Sequence, residues 1–183
     1  CSSLFDNFWD EQLLNQEELT QISFDTYHYD AKSFDEKVFV YCHLKLLKQV
    51  KEQEAYQIIS NKIFQAQKDS LQQFNEHISN DDIVRITFAK GGNAVLMCRY
   101  YLDIDATDAE ENCWYYLGTL IQLSNDLFDI YKDVHQGIQT LATRCKDAFA
   151  MEKFFLDRLQ LLKENIQALN IESKVKLRFS VFM

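Results

Sequence analysis

Proline is missing from this chain of 183 residues, and glycine occurs only four times. Average amino-acid usage predicts roughly 9 prolines and 13 glycines in a chain of this length. Sandwiches, barrels and parallel α/β folds depend on frequent tight turns, which these two residues supply. Their scarcity therefore predicts long helices joined by short polar connections. We expect an all-α fold in which residues 1–183 form a single helical domain, since one domain commonly takes roughly 100–200 residues.

Positive charge is also in short supply, with 19 Lys and Arg against 28 Asp and Glu and a net charge of −9. Nucleic-acid binding needs a basic footprint, so this balance argues against nucleic acid as a partner. No run of 18 apolar residues occurs, which argues against a transmembrane segment. The five cysteines are odd in number and include no Cys-x-x-Cys pair. That usage is typical of reduced thiols in a cytoplasmic protein.

Helical periodicity recurs along the chain, and two capping boxes, Ser33 with Glu36 and Thr107 with Glu110, mark helix starts. The apolar spacing predicts helices over 4–19, 33–50, 53–79, 83–102, 107–132 and 138–169, with a loop over 20–33. Gly91 and Gly92 fall inside one of these helices, where each glycine costs roughly 1 kcal/mol relative to alanine. That cost predicts the close approach of a ligand or of a neighbouring helix.

Two acidic segments depart from an ordinary amphipathic pattern. Asp6 and Asp10 are spaced i, i+4, and Asn125, Asp129 and Asp133 are spaced i, i+4, i+8, so each set is expected on one face of a helix. Such acids usually form a solvated face. The second segment, however, interrupts a helix that is apolar most of the way round, and carboxylates near a core must be paired or bind metal. Mg²⁺ prefers oxygen ligands of this kind and often bridges them to phosphates.

The second segment resembles the second aspartate-rich motif of the class I isoprenoid synthases. The squalene/phytoene synthase form, roughly G-x-x-x-Q-L-T-N-x-x-R-D-x-x-x-D followed by Gly and Leu, is matched at Gly118, Gln122, Leu123, Asn125, Asp129, Asp133, Gly137 and Leu141. The same stretch also fits the N-D-x-x-S-x-x-x-E motif of terpene cyclases. Read through Gln122, Asn125, Asp126 and Asp129, it is similar to the polyprenyl diphosphate synthases. Residues 6–10 resemble the first D-D-x-x-D motif of the superfamily.

The chain departs from the family pattern at several positions. Phe128 stands where the squalene/phytoene branch has Arg, and Lys132 stands where an acid is common. Residues 11–19 contain no Arg or Lys, which argues against head-to-tail elongation. The family also has helices before its first motif, so a chain that begins at Cys1 is expected to be a fragment that lacks N-terminal helices.

The resemblance implies three groups of site residues and two acidic clusters that face each other across one cavity. The metal ligands would be Asp6, Asp10, Asn125, Asp126, Asp129 and Asp133. The residues that contact the diphosphate and assist catalysis would be Arg85 and Lys90, for which ordinary surface pairing is the alternative. The substrate-binding residues would be Phe8, Trp9, Gln122, Phe128 and Tyr131. The aromatic ones would line an apolar cavity for the prenyl chain, although helical aromatics more often form core.

The function that follows is an Mg²⁺-dependent isoprenoid synthase, which ionises a prenyl diphosphate and then couples or cyclises the allylic cation. The alternative is a non-catalytic acidic helical-bundle binding protein or a degenerate family member. Asn7, Phe128 and Lys132, together with the missing helices, favour that alternative. Prenyl chain length and product stay open, and a homodimer is compatible with either function.

Overall fold

The computed structural model describes residues 2–102 and 105–182, and every regular element in these two stretches is helical. The expectation of an all-α fold is therefore confirmed. Within the same residues, no helix is both long enough and apolar enough to cross a bilayer. The elements are α1 Ser2–Asp10, α2 Gln16–Phe24, α3 Phe34–Leu47, α4 Gln53–Ser70, a 3₁₀ turn Leu71–Phe74, α5 Asn80–Arg99, α6 Asp108–Phe128, α7 Ile130–Gln136, α8 Leu141–Arg144, α9 Ala148–Ala168 and α10 Ser173–Phe182.

Both predicted capping boxes are present. The Glu36 backbone N–H donates to the Ser33 hydroxyl at 3.2 Å, and the Glu36 carboxylate accepts from the Ser33 N–H at 3.0 Å. Thr107 and Glu110 form the same reciprocal pair at the start of α6. Each box satisfies backbone donors that the first turn of a helix leaves unpaired, so the sequence fixes where α3 and α6 begin.

Side-chain caps divide two of the predicted helices, and the helix predicted over 53–79 ends at Ser70, before the 3₁₀ turn Leu71–Phe74. Residues 4–19 do not form one helix, because α1 ends at Asp10 and Gln12 adopts a φ of 52°. The Asn15 side chain then caps α2, which continues through Phe24 into the predicted loop. Residues 138–169 are divided because the Thr140 side chain caps α8 and the Asp147 side chain caps α9. Side-chain caps therefore restart the helix at three points that apolar periodicity alone does not reveal.

The described residues divide into two compact units, one within 1–61 and 100–103 and the other within 62–99 and 104–183. In the first unit α1 packs on α3 through aromatic rings. The buried Phe8 ring lies edge-on to Phe39 with centroids 5.7 Å apart, and Phe5 stacks on Phe39 at 5.9 Å. The single domain predicted over residues 1–183 stays a prediction.

A buried histidine links three elements of the first unit. The Thr26 hydroxyl donates to the Ile22 carbonyl oxygen at 2.7 Å, so it accepts from His43 Nδ1, which lies 3.2 Å away. His43 Nε2 is then free to accept from the Tyr56 hydroxyl at 3.2 Å. Burial lowers the pKa of His43. The ring is therefore neutral in the folded protein, and its hydrogen bonds define its tautomer.

In the second unit α6 contacts α5 on one side and α9 on another. Cys113 and Leu120 of α6 pack against Leu162 and Ile166 of α9 in a buried apolar cluster. On the side facing α5, the contact is made by small residues and polar groups, and that side carries the candidate site described below.

Arg144, at the end of α8, ties this part of the chain to the segment that precedes α5. Its guanidinium donates to the carbonyl oxygens of Glu76 at 2.7 Å and Ile78 at 2.5 Å. It also donates to the Asn80 side chain at 3.2 Å and the Gln139 side chain at 2.9 Å. Because a guanidinium offers five donors in a fixed plane, one side chain satisfies acceptors from two segments at once.

Candidate functional site

A close contact between α5 and α6 positions the site. A β-carbon added to Gly91 would overlap the Gly118 carbonyl oxygen and lie 2.5 Å from the Gln122 β-carbon. A β-carbon added to Gly118 would overlap the Gly91 carbonyl oxygen and lie 2.9 Å from the Gly92 α-carbon. The obstructing atoms are mostly backbone, so only glycine fits at either position. The close approach predicted for this glycine pair is confirmed, and at Gly91 the approaching group is a neighbouring helix.

This glycine contact sets the register of the two helices. Gly91 lies against Gly118 and Gln122, while Thr87, one turn earlier in α5, lies against Asp126, one turn after Gln122 in α6. The helices therefore run antiparallel. The register carries polar side chains of α5 onto the face of α6 that bears the acidic motif.

Asp126 is the most enclosed carboxylate of the motif, with only 7% of the residue exposed. Gln122 Nε2 donates to its Oδ1 at 2.9 Å, and Thr87 Oγ1 donates to its Oδ2 at 3.4 Å. Burial raises the pKa of Asp126, while these two hydrogen bonds and the positive charge of Lys90 act in the opposite direction. Each carboxylate oxygen thus has a donor, one from its own helix and one from the neighbouring helix.

Asp133, in α7, is the second buried carboxylate, with 8% exposed. Burial raises its pKa to about 6, and repulsion from Asp126 and Asp129 adds to that rise. The charges of Lys132 and Lys90 oppose it. Three carboxylates therefore share one electrostatic environment, and a cation among them would relieve the repulsion.

The helix predicted over 107–132 is interrupted at Asp129, where φ is −90° and ψ is 5° instead of the roughly −42° typical of an α-helix. Asn125 and Asp129 are exposed, whereas Asp126 and Asp133 are buried. The predicted grouping of Asn125, Asp129 and Asp133 on one helical face stays a prediction, although backbone hydrogen bonds of 2.8 Å join Asp129 to Asn125 and Asp133 to Asp129. On α6, the half-buried Gln122 and the buried Asp126 lie on the side that α5 contacts.

The two cations predicted for diphosphate binding have different surroundings. Arg85 is exposed and donates to Asp69 at 2.9 Å, and its Nε lies 3.6 Å from Asp82 Oδ1. The Lys90 ammonium is half-buried and makes no hydrogen bond or ion pair with any residue that the structure describes. Because Lys90 acts electrostatically on both Asp126 and Asp133, it is the cation that belongs to this site.

Phe128 and Tyr131 lie on the surface, 87% and 75% exposed. Phe128 lines an apolar groove of about 720 Å³ between the end of α6 and the start of α9, together with Leu127, Ile130, Met151, Phe155 and Leu156. Two residues along a helix correspond to a rotation of roughly 200°, so Phe128 points away from the side of α6 that carries Asp126. The groove and the buried carboxylates are thus separate features of the second unit.

Four predicted site residues belong to the first unit. Asp6 is half-buried and Asp10 is exposed. Phe8 and Trp9 are buried, and Trp9 lies edge-on to Phe5 with centroids 6.4 Å apart. The facing of the two acidic clusters across one cavity stays a prediction.

The carboxylate oxygens of this site are ligands of the kind that Mg²⁺ prefers. Among residues 2–102 and 105–182, no group of three or more His, Cys, Asp or Glu side chains is placed so that it could hold a metal ion. Mg²⁺ usually keeps several waters and binds through one or two carboxylates plus substrate phosphates. Asp126 and Asp133, which repel each other, supply two carboxylates of this kind, and the exposed Asp129 is coupled to both.

Thr87 is the residue of this site that the sequence analysis does not identify. It lies 39 positions before Asp126, inside a helix that carries no acidic motif at this point. The available signal is the pair of helical glycines. If Gly91 is placed against Gly118, antiparallel geometry brings Thr87, one turn before Gly91, opposite Gln122, one turn short of Asp126.

No protein-family model, curated protein or solved structure matches this chain. The candidate site consists of two buried carboxylates, the Thr87 hydroxyl and the Gln122 amide that hold one of them, and the unpaired ammonium of Lys90.

Proposed function

We propose that this chain is a class I isoprenoid synthase that uses Mg²⁺ to ionise a prenyl diphosphate. One observation carries the proposal: Asp126 and Asp133 are both buried, the charge of Asp126 repels Asp133, and Lys90 of α5, which pairs with no residue that the structure describes, acts electrostatically on both. Buried carboxylates that are not paired with a cation are costly, and proteins tolerate that cost mostly at functional sites. The motif that carries these residues resembles a diphosphate-binding motif, which supplies the identity of the substrate.

The carboxylates and Lys90 have complementary tasks in such a reaction. Asp126 and Asp133 would hold Mg²⁺, which when bound neutralises charge on the diphosphate and helps it to leave. Lys90 binds a diphosphate oxygen as a point charge, which is possible because it pairs with none of the described residues. When the bond between carbon 1 and oxygen breaks, the electron pair stays on the departing diphosphate. The Lys90 charge stabilises that negative charge more than it stabilises the intact substrate.

A second candidate function is a non-catalytic helical binding protein. The observation that favours it is the apolar groove of about 720 Å³ beside Phe128, which opens away from the buried carboxylates. Large exposed apolar surfaces commonly mark interaction sites. A chain with this function needs no metal and releases no diphosphate, so the two candidates differ in a measurable product.

The test is incubation of the chain with Mg²⁺ and prenyl diphosphates of 10, 15 and 20 carbons, followed by measurement of released pyrophosphate and mass spectrometry of the products. We expect Asp133→Asn to lower pyrophosphate release by about 10²-fold, as expected when a group that stabilises charge in the transition state is lost. The matched control is Asp157→Asn in α9, where an exposed carboxylate pairs with Lys153 at 2.8 Å. Its release should equal that of the parent.

The melting temperature of the parent chain gives a reading that is independent of turnover. Ligands that bind only the native state raise the melting temperature, so Mg²⁺ and pyrophosphate together should raise it and either one alone should have little effect. If no substrate releases pyrophosphate and no combination shifts the melting temperature, the synthase proposal is wrong. If Asp133→Asn and the parent release pyrophosphate equally, the assignment of Asp133 to the active site is wrong.

A further inference from the structure

Thr87 is buried in the contact between α5 and α6 with only 3% of the residue exposed. Its hydroxyl donates to Asp126 Oδ2 at 3.4 Å, and it is the group of α5 that reaches the acidic motif by a direct hydrogen bond. The backbone contact of Gly91 with Gly118 fixes the separation and register of the two helices. The hydroxyl therefore stands on a rigid element whose place relative to Asp126 is set by the backbone.

The Asp126 carboxylate needs this second donor to have a defined orientation. Gln122 donates to Oδ1 from the same helix, one turn away, through a long side chain with several rotatable bonds. With that single hydrogen bond the carboxylate can still rotate about χ2, because the χ2 angle of aspartate has a broad range of low energy. A donor to Oδ2 from another helix fixes the plane, and hence the direction of the lone pairs that remain for a ligand.

We infer that Thr87 is a positioning residue of the proposed active site, which orients the Asp126 carboxylate toward a metal–diphosphate ligand. The inference rests on the proposed function. Partners that hold a ligating carboxylate typically contribute 10–100-fold in metal affinity when they are removed. Because the Thr87 hydrogen bond is long, we expect an effect near the lower end of that range.

A purely structural role for Thr87 predicts a different outcome. Valine has the shape of threonine without the hydroxyl, so Thr87→Val keeps the packing and removes the donor. If the hydroxyl only stabilises the helix pair, Thr87→Val lowers the melting temperature without ligand and leaves the response to ligand unchanged. The matched control is Thr119→Val in α6, two turns before Asp126. Thr119 is 1% exposed, and its hydroxyl donates to the Tyr116 carbonyl oxygen at 2.7 Å and not to the carboxylate.

The experiment measures the Mg²⁺ concentration that gives half of the full melting-temperature rise at a fixed concentration of inorganic pyrophosphate. We expect Thr87→Val to need about tenfold more Mg²⁺ than the parent. Thr87→Ser, which keeps the hydroxyl, should stay within twofold of the parent, as should Thr119→Val. If Thr87→Val does not fold, Thr87→Ala is compared with Thr87→Ser in the same way.

The failures of the two proposals are distinguishable. A parent chain that shows no joint Mg²⁺–pyrophosphate effect overturns the proposed function and this inference with it. A parent that responds, with Thr87→Val responding at the same Mg²⁺ concentration, overturns the inference alone. The positioning role is supported if Thr87→Val raises the required Mg²⁺ concentration about tenfold while Thr87→Ser and Thr119→Val stay within twofold of the parent.

Discussion

Replacing Gly118 with alanine tests whether the glycine contact between α5 and α6 holds the second unit and its site together. The new β-carbon would lie 2.8 Å from the Gly91 carbonyl carbon and 2.9 Å from the Gly92 α-carbon. Carbon atoms pack best at about 3.5–4.0 Å, so the helices must separate locally by about 1 Å. Because the opposing atoms are backbone, no side-chain rotation can relieve the overlap.

The size of the effect follows from two opposing terms. Alanine is the better helix former, which favours the substitution by about 1 kcal/mol. Overpacking of a tight contact costs about 1–3 kcal/mol, and a contact between backbones belongs at the upper end. We expect a net loss of about 2 kcal/mol in the free energy of unfolding, or about 4–8 °C in melting temperature for a chain of this size. Helix separation also stretches the 3.4 Å hydrogen bond between Thr87 and Asp126, so the response to Mg²⁺ and pyrophosphate should weaken as well.

Urea unfolding and the melting-temperature shift with Mg²⁺ and pyrophosphate measure both effects. The control is Gly137→Ala, because Gly137 has a φ of 72° and no atom within 4 Å of an added β-carbon. That substitution should cost about 1–2 kcal/mol through the left-handed backbone and leave ligand binding intact. The double variant Gly91→Ala, Gly118→Ala should lose less free energy of unfolding than the two single variants lose together, because helices that are already separated accept a second methyl group. A Gly118→Ala chain as stable as the parent would refute the reasoning.

Two further predictions concern polar groups away from the site. Arg144→Ala should lower the free energy of unfolding by about 2 kcal/mol, because the carbonyl oxygens of Glu76 and Ile78 lose a charged donor. If urea unfolding shows a change below about 0.5 kcal/mol, the guanidinium does not stabilise this segment. His43 has a pKa below its usual 6.5 in the folded chain, so the unfolded chain binds a proton first as the pH falls. The free energy of unfolding should therefore decline below about pH 6.5, and His43→Gln should remove that part of the decline. If the parent and His43→Gln lose stability equally between pH 7 and pH 5, the neutral buried ring is contradicted.

Local chemistry accounts for the parts of the fold that the sequence predicts well. The scarcity of glycine and proline predicts the helical fold, and the boxes at Ser33 and Thr107 predict where α3 and α6 begin, because capping is settled within one turn. The cost of a glycine inside a helix predicts the close contact at Gly91. In each case the deciding interaction lies within a few residues of the signal.

The parts that the sequence does not predict depend on contacts between distant segments. The interruption at Asp129 carries no proline or glycine, so periodicity continues through it without a mark. Asn125 and Asp126 lie only about 100° apart on a helix, and the packing of α5 decides which of them is buried. Thr87 enters the site only through the register of two helices, which a spacing rule within either helix does not contain.

The groove beside Phe128 also has a consequence for the colloidal behaviour of the chain. At neutral pH the net charge of −9 makes copies repel one another. Near the isoelectric point, about 4.9, that repulsion disappears while Phe128 and Phe149 remain 87% and 81% exposed. Apolar contact between copies then meets no electrostatic opposition, and high salt acts in the same direction by screening the charge. Neutral buffers of low ionic strength therefore keep the molecules apart, and the acidity of the chain protects the groove beside Phe128 from contact between copies.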